Sequence, residues 1–143
     1  MLSGDAHRRY IWANLEIDTI DIGRSCFESF EKVAESIRYL KFERELQTES
    51  WFHFDGHKVG DFPNLKEVWI VPTDGLYGCV DELDYPGHWY PCGKENVFYV
   101  DPFNSERVFR GEQGEEEIHE LREKWLNENE GFEAPHENWI MPI

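Results

Sequence analysis

Hydrophobic and polar positions alternate from Tyr10 to Asp18. Tyr10, Trp12, Asn14 and Glu16 fall on one side and Ile11, Ala13, Leu15 and Ile17 on the other, the period of a strand with one apolar face. Ile22-Gly23 breaks that pattern. Ser25 stands three residues before Glu28, a capping-box spacing. Phe27, Phe30, Val33, Ala34, Ile37 and Leu40 then recur at steps of three and four, which predicts an amphipathic helix over about residues 26–46.

Beyond the helix, Trp51-Phe-His-Phe54 and Lys66–Val71 read as strands, with a turn at Pro63-Asn64 between them. Pro72-Thr-Asp-Gly75 is a second turn, and Leu76–Val80 is expected to return as a hairpin partner. Residues 81–95 carry Pro86, Gly87, Pro91 and Gly93 and read as loop. Asn96–Val100 and Arg107–Arg110 are predicted strands, closed by Asp101-Pro102 and Gly111. A second helix is expected over about 115–130, with Ile118, Leu121, Trp125 and Leu126 as its core stripe and Gly131 as its C′ residue.

This order predicts an α+β fold: a mainly antiparallel sheet of about five strands with two amphipathic helices packed on one face. The length, 143 residues, suits one domain, with flexible tails expected over 1–7 and 132–143. Aromatics make up 15% of the chain, which excludes global disorder.

Charge changes the picture most. Thirty acids against fourteen Lys and Arg leave a formal charge of −16. Nucleic acid and anionic membrane both reward clustered positive charge, so direct binding to either is not expected. Residues 24–48 hold five acids and five bases and are neutral, whereas residues 112–143 hold ten acids and two bases. On the second helix Glu116, Glu120, Glu123 and Glu130 fall opposite the apolar stripe. Such a carboxylate ladder has the sign of a nucleic-acid backbone and suits a nucleic-acid mimic that competes for a basic cleft; an ordinary solvated helix face would look the same.

Residues 74–92 combine Tyr77, Tyr85, Trp89 and Tyr90 with Asp81, Glu82 and Asp84. Aromatic anchors beside carboxylates suit recognition of a partner carrying Lys and Arg, whereas rings covering an open sheet end would be core. The partner-binding set is therefore Glu116, Glu120, Glu123, Glu130, Asp81, Glu82, Asp84, Tyr85, Trp89 and Tyr90.

Catalytic chemistry has weaker support. Along an extended chain His53, Asp55 and His57 share one side, and with His88 and Cys92 they compose a conceivable zinc set, although at no established ligand spacing. Cys79 or Cys92 beside His88 is a conceivable nucleophile pair. There is no GxxxxGK[ST], GxGxxG or GxSxG motif. The three cysteines are no disulfide framework; Cys26 is expected to be a small buried thiol. The N-terminus lacks a charged-then-apolar export pattern, so a cytoplasmic setting is expected.

The expected function is an acidic, non-enzymatic inhibitor or immunity-type protein, needing no cofactor, that occludes a basic surface on a protein partner. Toxin-neutralising immunity proteins and viral anti-defence inhibitors of nucleases have this compositional character. The alternatives are a small metal-dependent hydrolase using His53, Asp55 and His57, and a haloadapted or structural subunit whose acidity serves solubility.

Overall fold

The computed structural model describes residues 14–129. Its sheet has five strands: β1 (Thr19–Gly23), β2 (Tyr39–Arg44), β3 (Glu67–Pro72), β4 (Val97–Asp101) and β5 (Asn104–Arg110). They lie in sequence order, β1 to β4 parallel and β5 antiparallel to β4. The fold is mixed α and β, but the sheet is mostly parallel rather than mainly antiparallel, and the helical segments outnumber the two helices expected.

The correction has a simple cause. Parallel neighbours need long crossovers, and those crossovers are the stretches in which sequence periodicity misleads. The expected helix over 26–46 is a 3-10 helix, Phe27–Ser36, followed by β2. Ile37 continues the stripe but is already extended (φ −82°, ψ 124°). Leu40 fits a helical step from Ile37, but it also alternates with Phe42 across Lys41 and Glu43, and that period-two signal prevails. Phe27, Phe30 and Val33 are spaced by three, which keeps them in line at three residues per turn. No capping bond forms from a side chain at this helix start, so the Ser25–Glu28 box is not made.

The strand expected at 51–54 is also helical. A π turn (Trp51–Asp55), an α turn (Gly56–Lys58) and a 3-10 turn (Val59–Asp61) follow one another. Thr48 starts the run, its Oγ1 accepting from the Trp51 amide at 3.2 Å. Trp51, Val59 and Phe62 face the core while Phe54 is 64% exposed. Leu76–Cys79, expected as a hairpin strand, is a 3-10 turn, as is Glu82–Asp84. The long helix, Gly111–Glu128, starts earlier than expected and ends at Asn129. The expected strand at 10–18 is not found in its described part: residues 15–17 are a turn, and β1 begins where that pattern stops. Tyr10–Ala13, Glu130, Gly131 and both expected tails lie outside the described residues.

Strands that step the same way across a sheet, joined by right-handed crossovers, place every crossover on one face. Burial agrees. Ile20, Leu40, Val68 and Val97 form one buried row, and Phe42, Ile70, Tyr99 and Phe109 the next. These rows join Phe27, Trp51, Phe62, Leu76 and Ile118 in one core. On the opposite face Lys41, Trp69 and Phe98 are only half-buried, and Trp69 stacks on Phe98 with centroids 4.2 Å apart. No described helix is long and apolar enough to cross a membrane.

Candidate partner-binding surface

The third crossover, 73–96, carries the aromatic and acidic residues, and it folds around a buried carboxylate. Glu82 is 2% exposed. Its Oε1 accepts from Trp51 Nε1 at 3.0 Å, from Tyr90 OH at 2.9 Å and from His88 Nδ1 at 2.7 Å. Its Oε2 is buried without a partner among the described residues. His88 Nε2 faces the Phe52 carbonyl at 3.2 Å. Both ring nitrogens therefore meet acceptors. Burial, reinforced by the Glu82 charge, pushes the Tyr90 phenol well above its usual range.

Two Gly-His pairs lock this cluster. A side chain at Gly56 would strike the His88 ring, and one at Gly87 would strike the His57 ring. The two imidazoles meet edge to face at 5.2 Å, and His57 Nδ1 lies 2.8 Å from the Gly87 carbonyl. Gly87 also has φ 91°, a left-handed backbone that favours glycine. The repeated Gly-His dipeptide was the signal available in the chain, and it points to packing between crossovers.

Two members of the expected binding set are thus removed from the surface: Glu82 and Tyr90 are buried. Both are consumed by the hydrogen-bond cluster, which needs dry surroundings. Trp89, the residue between His88 and Tyr90, is 62% exposed and rests beside Gly60. Tyr85 is half-buried, tilted against Phe52 with centroids 4.9 Å apart.

A second buried carboxylate joins this crossover to the long helix. Glu115 Oε1 accepts from the Leu83 amide at 2.8 Å and from Tyr99 OH at 3.1 Å. Burial raises its pKa to about 7; the nearby Asp84 and Glu82 charges add to the rise, and its hydrogen bonds oppose it. This junction brings Asp81 and Asp84 beside Glu112, Glu116 and His119 around a cleft of about 370 Å³. Asp81 holds a left-handed backbone, φ 65°. Lys94 is engaged on the same side, 2.7 Å from Asp84 and 3.4 Å from Glu112. Glu120 and Glu123 continue along the exposed side of the helix. The structure therefore joins Asp81, Asp84 and Glu116, sets Glu120 and Glu123 beyond them, and leaves Trp89 beside Gly60. Glu112 was missed, because the helix was expected to begin only near 115.

The alternative chemistry does not assemble. On a helical segment residues two apart point to opposite sides, so Asp55 is turned away from the side that His53 and His57 share. His53 and His57 are exposed, Asp55 lies 3.5 Å from Arg44 and 3.4 Å from Lys58, and His88 is turned inward. Among the described residues no group of three or more His, Cys, Asp or Glu is placed to hold a metal ion. Cys79, Cys92 and Cys26 are free thiols, and Cys26 is exposed rather than buried. Burial raises the Cys79 thiol well above its ordinary range and the Cys92 thiol to about 11, so neither supplies a thiolate near neutral pH. Comparison with protein-family models, curated proteins and solved structures returns no match.

Proposed function

We propose that this protein is a non-enzymatic acidic binder that occludes a basic surface on a protein partner, such as a nuclease, a toxin or a defence complex. The observation that carries the reading is the convergence of Asp81, Asp84, Glu112 and Glu116 on one cleft, with Glu120 and Glu123 extending the same negative surface. Two separate parts of the chain contribute, and the buried Glu115 anchors one to the other. A preorganised negative patch steers a basic partner and speeds encounter more than it adds affinity. The titratable groups buried behind it point inward and are tied to one another, which suits a scaffold for the patch.

The test is capture of a partner on the immobilised chain at low salt, then association kinetics with that purified partner. Replacing Glu116, Glu120 and Glu123 with Gln should slow association about tenfold and flatten its salt dependence, while the melting curve stays in place. An on-rate unchanged by these substitutions, and insensitive to salt, would remove the acidic surface from the interface. The chain alone should not shift DNA or RNA in a gel.

A further inference from the structure

A second negative feature lies away from this cleft, in a segment whose formal charge is zero. The 3-10 helix Phe27–Ser36 forms one wall of a groove of about 440 Å³, and residues 58–63 form the other. Phe27, Ala34 and Phe62 make an apolar floor, and Pro63 stands exposed at its lip. The groove is held at both ends. Lys58 pairs with Glu28 at one end, and Asn64 Nδ2 donates to the Glu35 carbonyl at 2.7 Å at the other. The small Ala34 leaves the space between them.

The backbone geometry concentrates charge on this groove. At three residues and about 6 Å per turn, Glu28, Glu31 and Ala34 fall in one line. Glu31, Glu35 and Asp61 also line the groove, with no ion-pair partner among the described residues. Lys58, the base in the groove, is taken by Glu28 and Asp55. Two of the segment's five cations are directed elsewhere, and the groove's acids, Glu28, Glu31, Glu35 and Asp61, outnumber Lys58 and the exposed Lys32 on the same helix. Arg44 turns inward, its guanidinium 4.5 Å from the Phe27 ring centre and bonded to the Gly23 carbonyl, and Lys41 lies on the opposite face of the sheet. Neutral composition thus becomes a negative groove with an apolar floor.

We infer that this groove docks a short partner segment with an apolar side chain flanked by Lys or Arg. The apolar side chain enters between Ala34 and Pro63, and the cations meet Glu31, Glu35 and Asp61. The inference rests on the reading of the chain as a binder of basic protein surfaces, and it adds a contact with a requirement that the first surface lacks: an apolar anchor.

The probe is a labelled synthetic peptide with two leucines one helical turn apart in a lysine background, titrated by fluorescence anisotropy and by chemical shifts of the Ala34 methyl. Binding should weaken about tenfold or more when serines replace the leucines, the size expected for losing a buried leucine. It should weaken similarly in the Glu31→Lys, Glu35→Lys variant, whose positions are both exposed, so that its melting curve should match the parent's. Glu49→Lys with Glu106→Lys makes the same change of net charge at exposed positions outside the groove, and should leave binding within about twofold. Equal binding of the serine peptide, equal loss in both double variants, or an unmoved Ala34 methyl would each overturn the groove. None of these results bears on the Glu116, Glu120 and Glu123 kinetics, so the two surfaces stand or fall separately.

Discussion

Asp81 and Glu82 are neighbours with the same charge and opposite fates. Asp81 is exposed at the mouth of the acidic cleft, in a left-handed turn. Glu82 is buried and gathers Trp51, His88 and Tyr90 around one oxygen. The same split separates Glu116 from Glu115 on the long helix, where one carboxylate lines the open cleft and its neighbour bonds to Leu83 and Tyr99. Acidity therefore has two uses in this molecule. The buried Glu82 and Glu115, accepting from three and two donors, hold the crossovers together, and the exposed carboxylates create a field. A buried charge is tolerated only where donors surround it, so the two uses leave different energetic signatures.

The sharpest way to break the comparison is to remove one carboxylate of each kind. Glu82→Ala leaves three donors, from Trp51, His88 and Tyr90, buried without their acceptor. It should cost about 3–5 kcal/mol in chemical denaturation. A loss below about 1 kcal/mol would mean that the cluster relaxes freely, and that burial of Glu82 carries no energetic meaning.

The next effect is a dependence on pH. Glu115 titrates at about 7 in the fold, against about 4.3 in an unfolded chain. Between those values the folded state holds a proton that the unfolded state has released. Its contribution to stability is thus greatest at low pH and is lost as pH rises through about 7. Glu115→Gln keeps an acceptor for Leu83 and Tyr99 without the charge. The variant should gain on the order of 2 kcal/mol over the parent at pH 8 and show little difference at pH 4. Denaturation curves at the two values decide the sign; a constant difference between parent and variant would show that Glu115 is not the titrating group.

The smallest effect compares adjacent aromatic residues. Tyr90→Phe removes one hydrogen bond to Glu82 and should cost about 1.5 kcal/mol. Trp89→Ala takes away a ring that is mostly in solvent and should change stability by less than about 1 kcal/mol. If Trp89 is an interface anchor, that substitution should instead weaken partner binding by about 2 kcal/mol. Thermal melts and one titration separate the roles. Equal stability losses at the two positions would erase the distinction between the buried ring and the exposed one.

Local pattern located β3 and β4 and the existence of β5 and the long helix, but β5 begins three residues and the helix four residues before their expected starts, and of the expected helix stripe only Ile118 is buried. Each has an unambiguous period and clear punctuation: Pro72-Thr-Asp-Gly75 after β3, Asp101-Pro102 after β4 and Gly111 after β5. The uneven charge was equally legible, because it needs no fold to be counted. Strand direction was not legible. A parallel neighbour and an antiparallel one share the same period, and the choice rests on crossovers whose apolar residues serve two periods at once. Leu40 satisfied a helix and a strand, and Trp51–Phe54 alternated like a strand while Thr48 started a helix there. The fate of each carboxylate was also beyond the chain's own pattern. Asp81, Glu82 and Asp84 are indistinguishable by type and spacing. Trp51, His88 and Tyr90, which single out Glu82, converge on it only once the second and third crossovers pack together. Periodicity is a local property and set the elements. Burial of charge depends on donors that are remote in sequence, so tertiary structure alone decided which acids hold the fold and which stay exposed.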